Sequence, residues 1–229
     1  MQTRHDGGVT ATTRARGRPA ADDPSTLSTE ALLDAALETF AERGFEGTSV
    51  RELARALGVS HNLIPQRIGS KEDLWFRAID RGFTALAIAL AQAIAAQDDE
   101  ADDLVRLRAL FVSFVAENIR RPALLRILNQ EASAPGPRLD HIWNKYIEPV
   151  RVFGDELLKR LHRDKKVRTK SVSIMYFFMT NGAGGPAVLP GLAAKFGTPI
   201  DPTDPVAVYR HAEEVTDLVF NGLILTSGN

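Results

Sequence analysis

The sequence of 229 residues contains no cysteine, which excludes a disulfide framework and thiolate metal sites and leaves no sign of an oxidising compartment. It also has almost no net charge, −1 at pH 7, so any attraction to a polyanion must come from local charge distribution. Long hydrophobic runs are missing as well. The longest, 83–96, is interrupted by Thr84 and Gln92, shorter than the roughly 20 apolar residues of a membrane span and suited to a buried helix. The N-terminal segment is polar and carries arginines without the apolar stretch of a signal peptide. These absences lead to the expectation of a cytoplasmic, soluble protein without a membrane partner. No stretch alternates apolar and polar residues over a strand length, and no repeat recurs, so a sheet is not expected. His141, His162 and His211 lack metal-ligand spacing, and the glycines of 182–186 follow no strand. Neither a metal, a cofactor nor an enzymatic phosphate loop is therefore expected.

What is present is a globular composition, 44% apolar and 25% charged, with an uneven arrangement of charge. Residues 1–20 carry Arg4, Arg14, Arg16 and Arg18 against Asp6, and residues 48–71 carry Arg51, Arg55, Arg67 and Lys71 against Glu52. Between them lies an acidic stretch with Asp22, Asp23, Glu30, Asp34, Glu38, Glu42 and Glu46. Positive charge is thus concentrated at the N-terminus and in one short internal segment.

Residues 1–27 lack periodicity and read as a disordered basic tail, with Arg14 to Pro19 as an arm suited to phosphates or a minor groove. From Ser28 the pattern becomes helical: Leu33, Ala36, Leu37, Phe40 and Ala41 share one face, and Gly44 is placed to end the helix. Ser49 and Glu52 have capping-box spacing for a second helix, and Gly58 breaks it. Ser60 is placed to cap a third helix from His61 to about Gln66. Ser70 and Asp73 open a long fourth helix over about 71–97. Beyond the acidic run at 98–103, helices are expected over 104–119, 122–131, 139–162, 166–181 and 205–225, with 182–205 an extended loop.

The region 49–68 carries the functional signal. A helix-turn-helix needs a small residue where two helices nearly touch, a glycine at the turn and apolar anchors on both sides. Ala54, Gly58 and the set Leu53, Leu57, Val59 and Ile64 meet those requirements. The blocks around them are Leu32-Leu-Asp-Ala-Ala-Leu-Glu-Thr-Phe40, Ala41-Glu-Arg-Gly-Phe45, Thr48-Ser-Val-Arg-Glu-Leu-Ala54, Leu57-Gly-Val-Ser60 and Gly69-Ser-Lys-Glu-Asp-Leu74. In order and spacing this region resembles the DNA-binding domain of TetR-type transcriptional repressors.

The resemblance implies an all-α fold. An N-terminal three-helix domain at 28–80 precedes a larger helical domain at 81–229 that binds ligand and dimerises. It implies a repressor released from double-stranded operator DNA by a small apolar effector, acting as a homodimer and not as an enzyme. By position, Thr48 and Lys71 match phosphate-binding sites at helix N-termini, where free N–H groups and the helix dipole favour anions. Ser60, His61, Asn62, Gln66 and Arg67 match the segment that enters the major groove, and Ser49 joins the candidate DNA-contacting set. Asn62 and Gln66 have the chemistry for adenine edges, Arg67 for guanine or phosphate. Two positions depart from the family: Pro65 stands where tyrosine is usual, Ile68 where phenylalanine is usual. A proline within the helix costs up to ~3 kcal/mol, so the recognition helix is expected to be short, shifted or bent. The alternative function is a dimeric ligand-binding or interaction protein with altered or degenerate DNA binding.

For the C-terminal region the candidate pocket residues are Phe111, Phe114, Asn129, Trp143, Tyr146, Met175, Phe178 and Asn181. The dimer interface implied by the resemblance uses the last two long helices, with Val215, Leu218, Val219 and Leu223 as candidates.

Overall fold

The computed structural model describes residues 27–98 and 100–224. The basic tail and its arginine arm lie outside the described residues, apart from Leu27. Among the described residues the fold is all-α as expected, and the sole ladder contact is an isolated bridge between Val167 and Ile224.

Ser28 opens α1 (Thr29–Gly47) by accepting a hydrogen bond from the amide of Ala31. Leu32, Leu33, Ala36, Leu37, Phe40 and Ala41 form its buried stripe. At Gly44 the backbone leaves helical geometry with φ 71°, a conformation open mainly to glycine. The helical turn resumes briefly before Thr48. Two short helices follow, α2 (Val50–Ala56) and α3 (Leu63–Arg67), and then α4 (Lys71–Ala95), opened by a full capping box between Ser70 and Asp73. By length and composition α4 is apolar enough to cross a membrane. Yet Leu74, Trp75, Ala78, Ile79, Phe83, Leu86 and Leu90 are buried, and the helix packs on α1 and on α5 (Asp103–Arg120).

Two clusters make the core. The first joins α1 to α4 with α6 (Pro122–Ser133) and α7 (Pro137–Ile142). The second joins α5 with α8 (Glu148–Arg163), α9 (Val172–Phe177) and α12 (Pro205–Leu223). Helix α5 divides them: Leu110 belongs to the first, Phe111 to the second, and Phe114 packs against both. The boundary expected at 80/81 falls inside α4, whose buried side chains all belong to the first cluster.

Three expectations are corrected by local chemistry. The helix expected over 139–162 contains a π turn at Trp143–Ile147, directly before Pro149. A proline has no N–H and crowds the carbonyl four residues earlier, and a wider turn relieves both problems. The helix expected from 166 starts only at Val172, where Ser171 caps it, and continues as a second π turn at Phe178–Ala183. The expected loop at 182–205 holds two short helices, α10 (Gly185–Val188) and α11 (Pro190–Lys195), each with a proline in its first turn where no backbone donor is needed. The acidic run has a structural use: Asp102 caps α5 and pairs with Lys166, and Asp103 pairs with Arg160 on α8 at 2.7 Å.

Gly82 lets α4 approach its neighbours closely. A Cβ there would lie 2.6 Å from Leu124 Cδ2 and 3.1 Å from Leu37 Cδ2. Overpacking costs about 1–3 kcal/mol, while alanine gains about 1 kcal/mol in helix propensity. Gly82→Ala is expected to lower stability by up to about 2 kcal/mol in urea unfolding. An unchanged or higher midpoint would show that the two leucines yield freely.

Candidate functional site

The turn between α2 and α3 is built around Gly58, whose φ is 66°. Its N–H donates to Arg55 O at 3.1 Å, and Val59 N–H donates to Ala54 O at 3.0 Å. This paired reversal is a Schellman motif, which satisfies the last carbonyls of α2 and turns the chain sharply. Ala54 is fully buried, and Leu53, Val59, Ile64 and Ile68 close the small core beneath the turn. Ser60, His61, Asn62, Pro65, Gln66 and Arg67 remain exposed. The segment is therefore held from below by apolar anchors and presents polar side chains outward.

The third helix is shifted as expected, and its cap differs. It starts at Leu63 rather than His61 and spans 5 residues. Ser60 Oγ accepts from Asn62 N–H at 3.4 Å, and Asn62, the capping residue, makes no side-chain cap bond. Pro65 consequently sits in the first turn, where its missing N–H has no helical partner to lose. Gln66 N–H reaches Asn62 O at 3.0 Å and Ile68 N–H reaches Ile64 O at 2.8 Å. The bonds that define α3 are intact.

The expected contact residues occupy unlike environments. Thr48 is 3% exposed, and its hydroxyl donates to Gly44 O at 2.7 Å. It latches the end of α1, so its hydroxyl proton is already engaged. Ser49 caps α2 by accepting from Glu52 N–H. Lys71, at the first position of α4, holds its ammonium 4.5 Å from the centre of the Phe45 ring and 3.4 Å from Glu46 O. Arg67 donates to Leu27 O. Arg51 and Arg55 on α2, outside the expected set, are exposed as well.

Behind this region lies a cavity of about 330 Å³ between the two core clusters. Of the candidate pocket residues, Phe111, Phe114, Trp143, Tyr146 and Met175 line it. Asn129, Phe178 and Asn181 do not. Asn129 is exposed at the end of α6, and Phe178 is 50% exposed on an outer surface. The Asn181 amide donates to Phe177 O and Thr180 Oγ1. Expectations from sequence omitted Phe83, Leu86 and Leu90 on α4, Leu124 and Leu128 on α6, and Tyr176 and Thr180. Aliphatic cavity walls carry the same signal as solid core, so periodicity alone could not separate them. Of the interface candidates, Leu218 is 74% exposed, Val215 and Val219 pack partly into the second cluster, and Leu223 is buried there. Leu223 is thus a core residue of the protomer.

A polar cluster joins the cavity wall to α4. Tyr146 stacks on Phe83 with centroids 5.2 Å apart, and its hydroxyl donates to Asp80 Oδ1 at 2.7 Å. His141 Nε2 lies 2.7 Å from the same oxygen, and Lys145 donates to Asp80 Oδ2 at 2.7 Å. Burial alone would push the Asp80 carboxyl up, but Lys145, Tyr146 and His141 together hold it below the ordinary carboxylate value. Burial pushes the Tyr176 phenol up to about 12. Among the described residues, no group of three His, Cys, Asp or Glu side chains is placed to hold a metal ion.

Residues 32–78 match the model for bacterial regulatory proteins of the tetR family. The chain is 43% identical over 56 residues to the transcriptional repressor AcnR of Corynebacterium glutamicum, covering 24% of this chain and 30% of that protein. It therefore spans under a third of that relative's length. It is 27% identical over 150 residues to the transcriptional repressor KstR2 of Mycobacterium tuberculosis, covering 65% of this chain and 74% of that one. The solved structure of KstR2 shares the fold with a TM-score of 0.67 at 21% identity, over 85% of this chain and 94% of that chain. AibR, solved with isovaleryl coenzyme A and operator DNA, shares it with a TM-score of 0.61 at 20% identity, over 83% and 96%.

The Asp80 cluster makes a pH prediction. The folded carboxyl titrates below its unfolded value of about 3.9, so its stabilisation is complete above that value and is lost as pH falls through the folded value. Urea midpoints of wild type and Asp80→Asn should differ most near pH 6 and converge as pH drops below about 4. A gap that stays constant across this window would remove the charge from the account.

Proposed function

Because the chain belongs to the tetR family of bacterial regulatory proteins, we propose that it is a repressor that grips operator DNA as a homodimer and is released by an apolar ligand. It is a DNA-binding transcriptional regulator and not an enzyme. The observation that carries the reading is the exposed segment from Ser60 to Arg67, fixed from below by buried Ile64 and Ile68. The side chains of His61, Asn62 and Gln66 are exposed above that small core. In this reading α3 enters the major groove of operator DNA in the cytoplasm, with Asn62 and Gln66 on adenine edges and His61 beside them. Ser60, Arg67 and Ser49 serve the flanking backbone. Lys71 and the free N–H groups of the first turn of α4 hold a phosphate. Thr48 contributes through the position of its helix end, since its hydroxyl serves Gly44.

Homodimerisation through α12 and the α9 region is supported by large apolar side chains left in solvent. Leu218 is 74% exposed, Phe177 64% and Ile174 59%. Single exposed leucines are ordinary, but aromatic and aliphatic side chains exposed this far on the late elements favour a partner. Two α3 segments must then sit about 34–36 Å apart to reach successive major grooves. A ligand in the cavity presses on Phe83, Leu86 and Leu90 of α4 and on Tyr146, which is bonded to α4 through Asp80. Tilting α4 changes the separation of the two α3 segments. AibR, captured with both a ligand and operator DNA, supports pairing the two kinds of partner on this fold.

Fluorescence anisotropy on the duplex upstream of the protein's own gene and on an unrelated duplex, over a salt series, tests the DNA reading. Gln66→Ala should cost about 1–3 kcal/mol on the cognate duplex alone. Lys71→Ala should weaken both duplexes alike and reduce the salt slope by about one. Wild-type binding with steep salt dependence and no preference between duplexes would refute a sequence-specific repressor.

A further inference from the structure

Most polar side chains that line the cavity are engaged within the protein. Among its lining side chains, the Tyr146 hydroxyl is taken by Asp80, the Arg151 guanidinium by both oxygens of Glu148 at 2.7 Å, and the Ser173 hydroxyl by Ser171. Thr180 donates to Tyr176 O at 2.8 Å, and the Asn118 amide nitrogen donates to Phe114 O at 2.8 Å. Trp143 sits at the rim, 41% exposed. Tyr176 lines the same cavity, and its hydroxyl makes no hydrogen bond to the described residues. A hydroxyl in a largely apolar cavity is costly to leave without a partner once a ligand displaces the water around it.

We infer that the cavity takes a neutral, compact ligand of two or three rings whose buried oxygen, a carbonyl in the simplest case, accepts a hydrogen bond from the Tyr176 hydroxyl. The inference rests on the ligand-cavity reading above and specifies the ligand's chemistry. Size follows from volume: a cavity of ~150 Å³ holds benzene, and this one measures about 330 Å³. Neutrality follows from the walls. Arg151 is the lining cation, and its guanidinium already faces the Glu148 carboxylate. A buried carboxylate or ammonium on the ligand would lack a counter-charge, which costs far more than burying a neutral group. Direction follows from the phenol itself. Burial raises its titration to about 12, so it remains a proton donor at neutral pH. Its ring packs against Phe114, 6.2 Å away, and against Phe177 at 5.7 Å.

The test uses the full chain, wild type and Tyr176→Phe, with 2-decalone and its hydrocarbon counterpart trans-decalin as probes. Affinities are read by displacement of N-phenyl-1-naphthylamine, and the carbonyl stretch of bound 2-decalone by infrared difference spectroscopy. A neutral hydrogen bond predicts a loss of about three- to tenfold for 2-decalone in Tyr176→Phe, unchanged decalin affinity and a carbonyl stretch moved to higher frequency. Unchanged decalin affinity also certifies that the variant folds. Equal losses for both probes, or no loss for either, would overturn the assignment to Tyr176 while leaving the ligand cavity standing. Failure of the dye and both probes to bind the wild type would overturn the ligand cavity and this inference together.

Discussion

The apolar face of α4 is the constraint on which the molecule is organised. The helix begins beside the helix-turn-helix, where Ser70 and Asp73 cap it and Lys71 leans on Phe45. It ends past Phe83, Leu86 and Leu90, which wall the cavity. With 25 residues it spans about 37 Å, so a small tilt at one end is a displacement of ångströms at the other. Fully buried Leu74, Trp75 and Ile79 pack the same helix into one cluster with Phe40 and Ile64. The DNA-binding motif therefore shares a core with the cavity wall, and well-packed cores shift between discrete arrangements more readily than they deform.

Polar contacts at the periphery set direction rather than stability. Arg81 holds Asp34 at 2.6 Å between α4 and α1, but both side chains are well exposed, and such pairs contribute about 0–1 kcal/mol. Gln130 donates to Ala41 O at 2.9 Å, and Arg138 lies over Phe45 while binding buried Glu131. These contacts tie α6 and α7 to the end of α1. The π turn at Trp143–Ile147 has a comparable role. By widening the helix ahead of Pro149 it places Tyr146 between Phe83 and Asp80, the point where the cavity meets α4.

The N-terminal architecture was legible because its signals are local. Ser49 with Glu52 and Ser70 with Asp73 name helix starts by side-chain reach, and Gly58 names a reversal by backbone freedom. Pro65 was legible as an irregularity, but its cost depended on where α3 begins, and a start at Leu63 places it in the first turn. Later in the chain the signals weaken. Ser171 caps α9 several residues after the expected start, and the helices at Gly185–Val188 and Pro190–Lys195 are too short for periodicity. A cavity wall and a filled core have identical sequence patterns, which is why the α4 and α6 walls were missed. Leu218 and Leu223 lie five positions apart on α12, one in solvent and one buried; which of them faces outward is decided by α5 packing alongside.

The central claim is that a change in the cavity moves the helix-turn-helix through α4. The chain has no cysteine, so Glu42→Cys on the exposed face of α1 gives a unique spin label in each protomer. Pulsed electron-spin distances between the two labels are to be compared for the operator complex and for the free protein carrying Leu128→Trp, which pushes bulk into the cavity. The account predicts a separation consistent with motifs about 34–36 Å apart in the operator complex and a displaced distribution in the cavity-filled protein. Superimposable distributions, or no interprotomer distance at all, would contradict it.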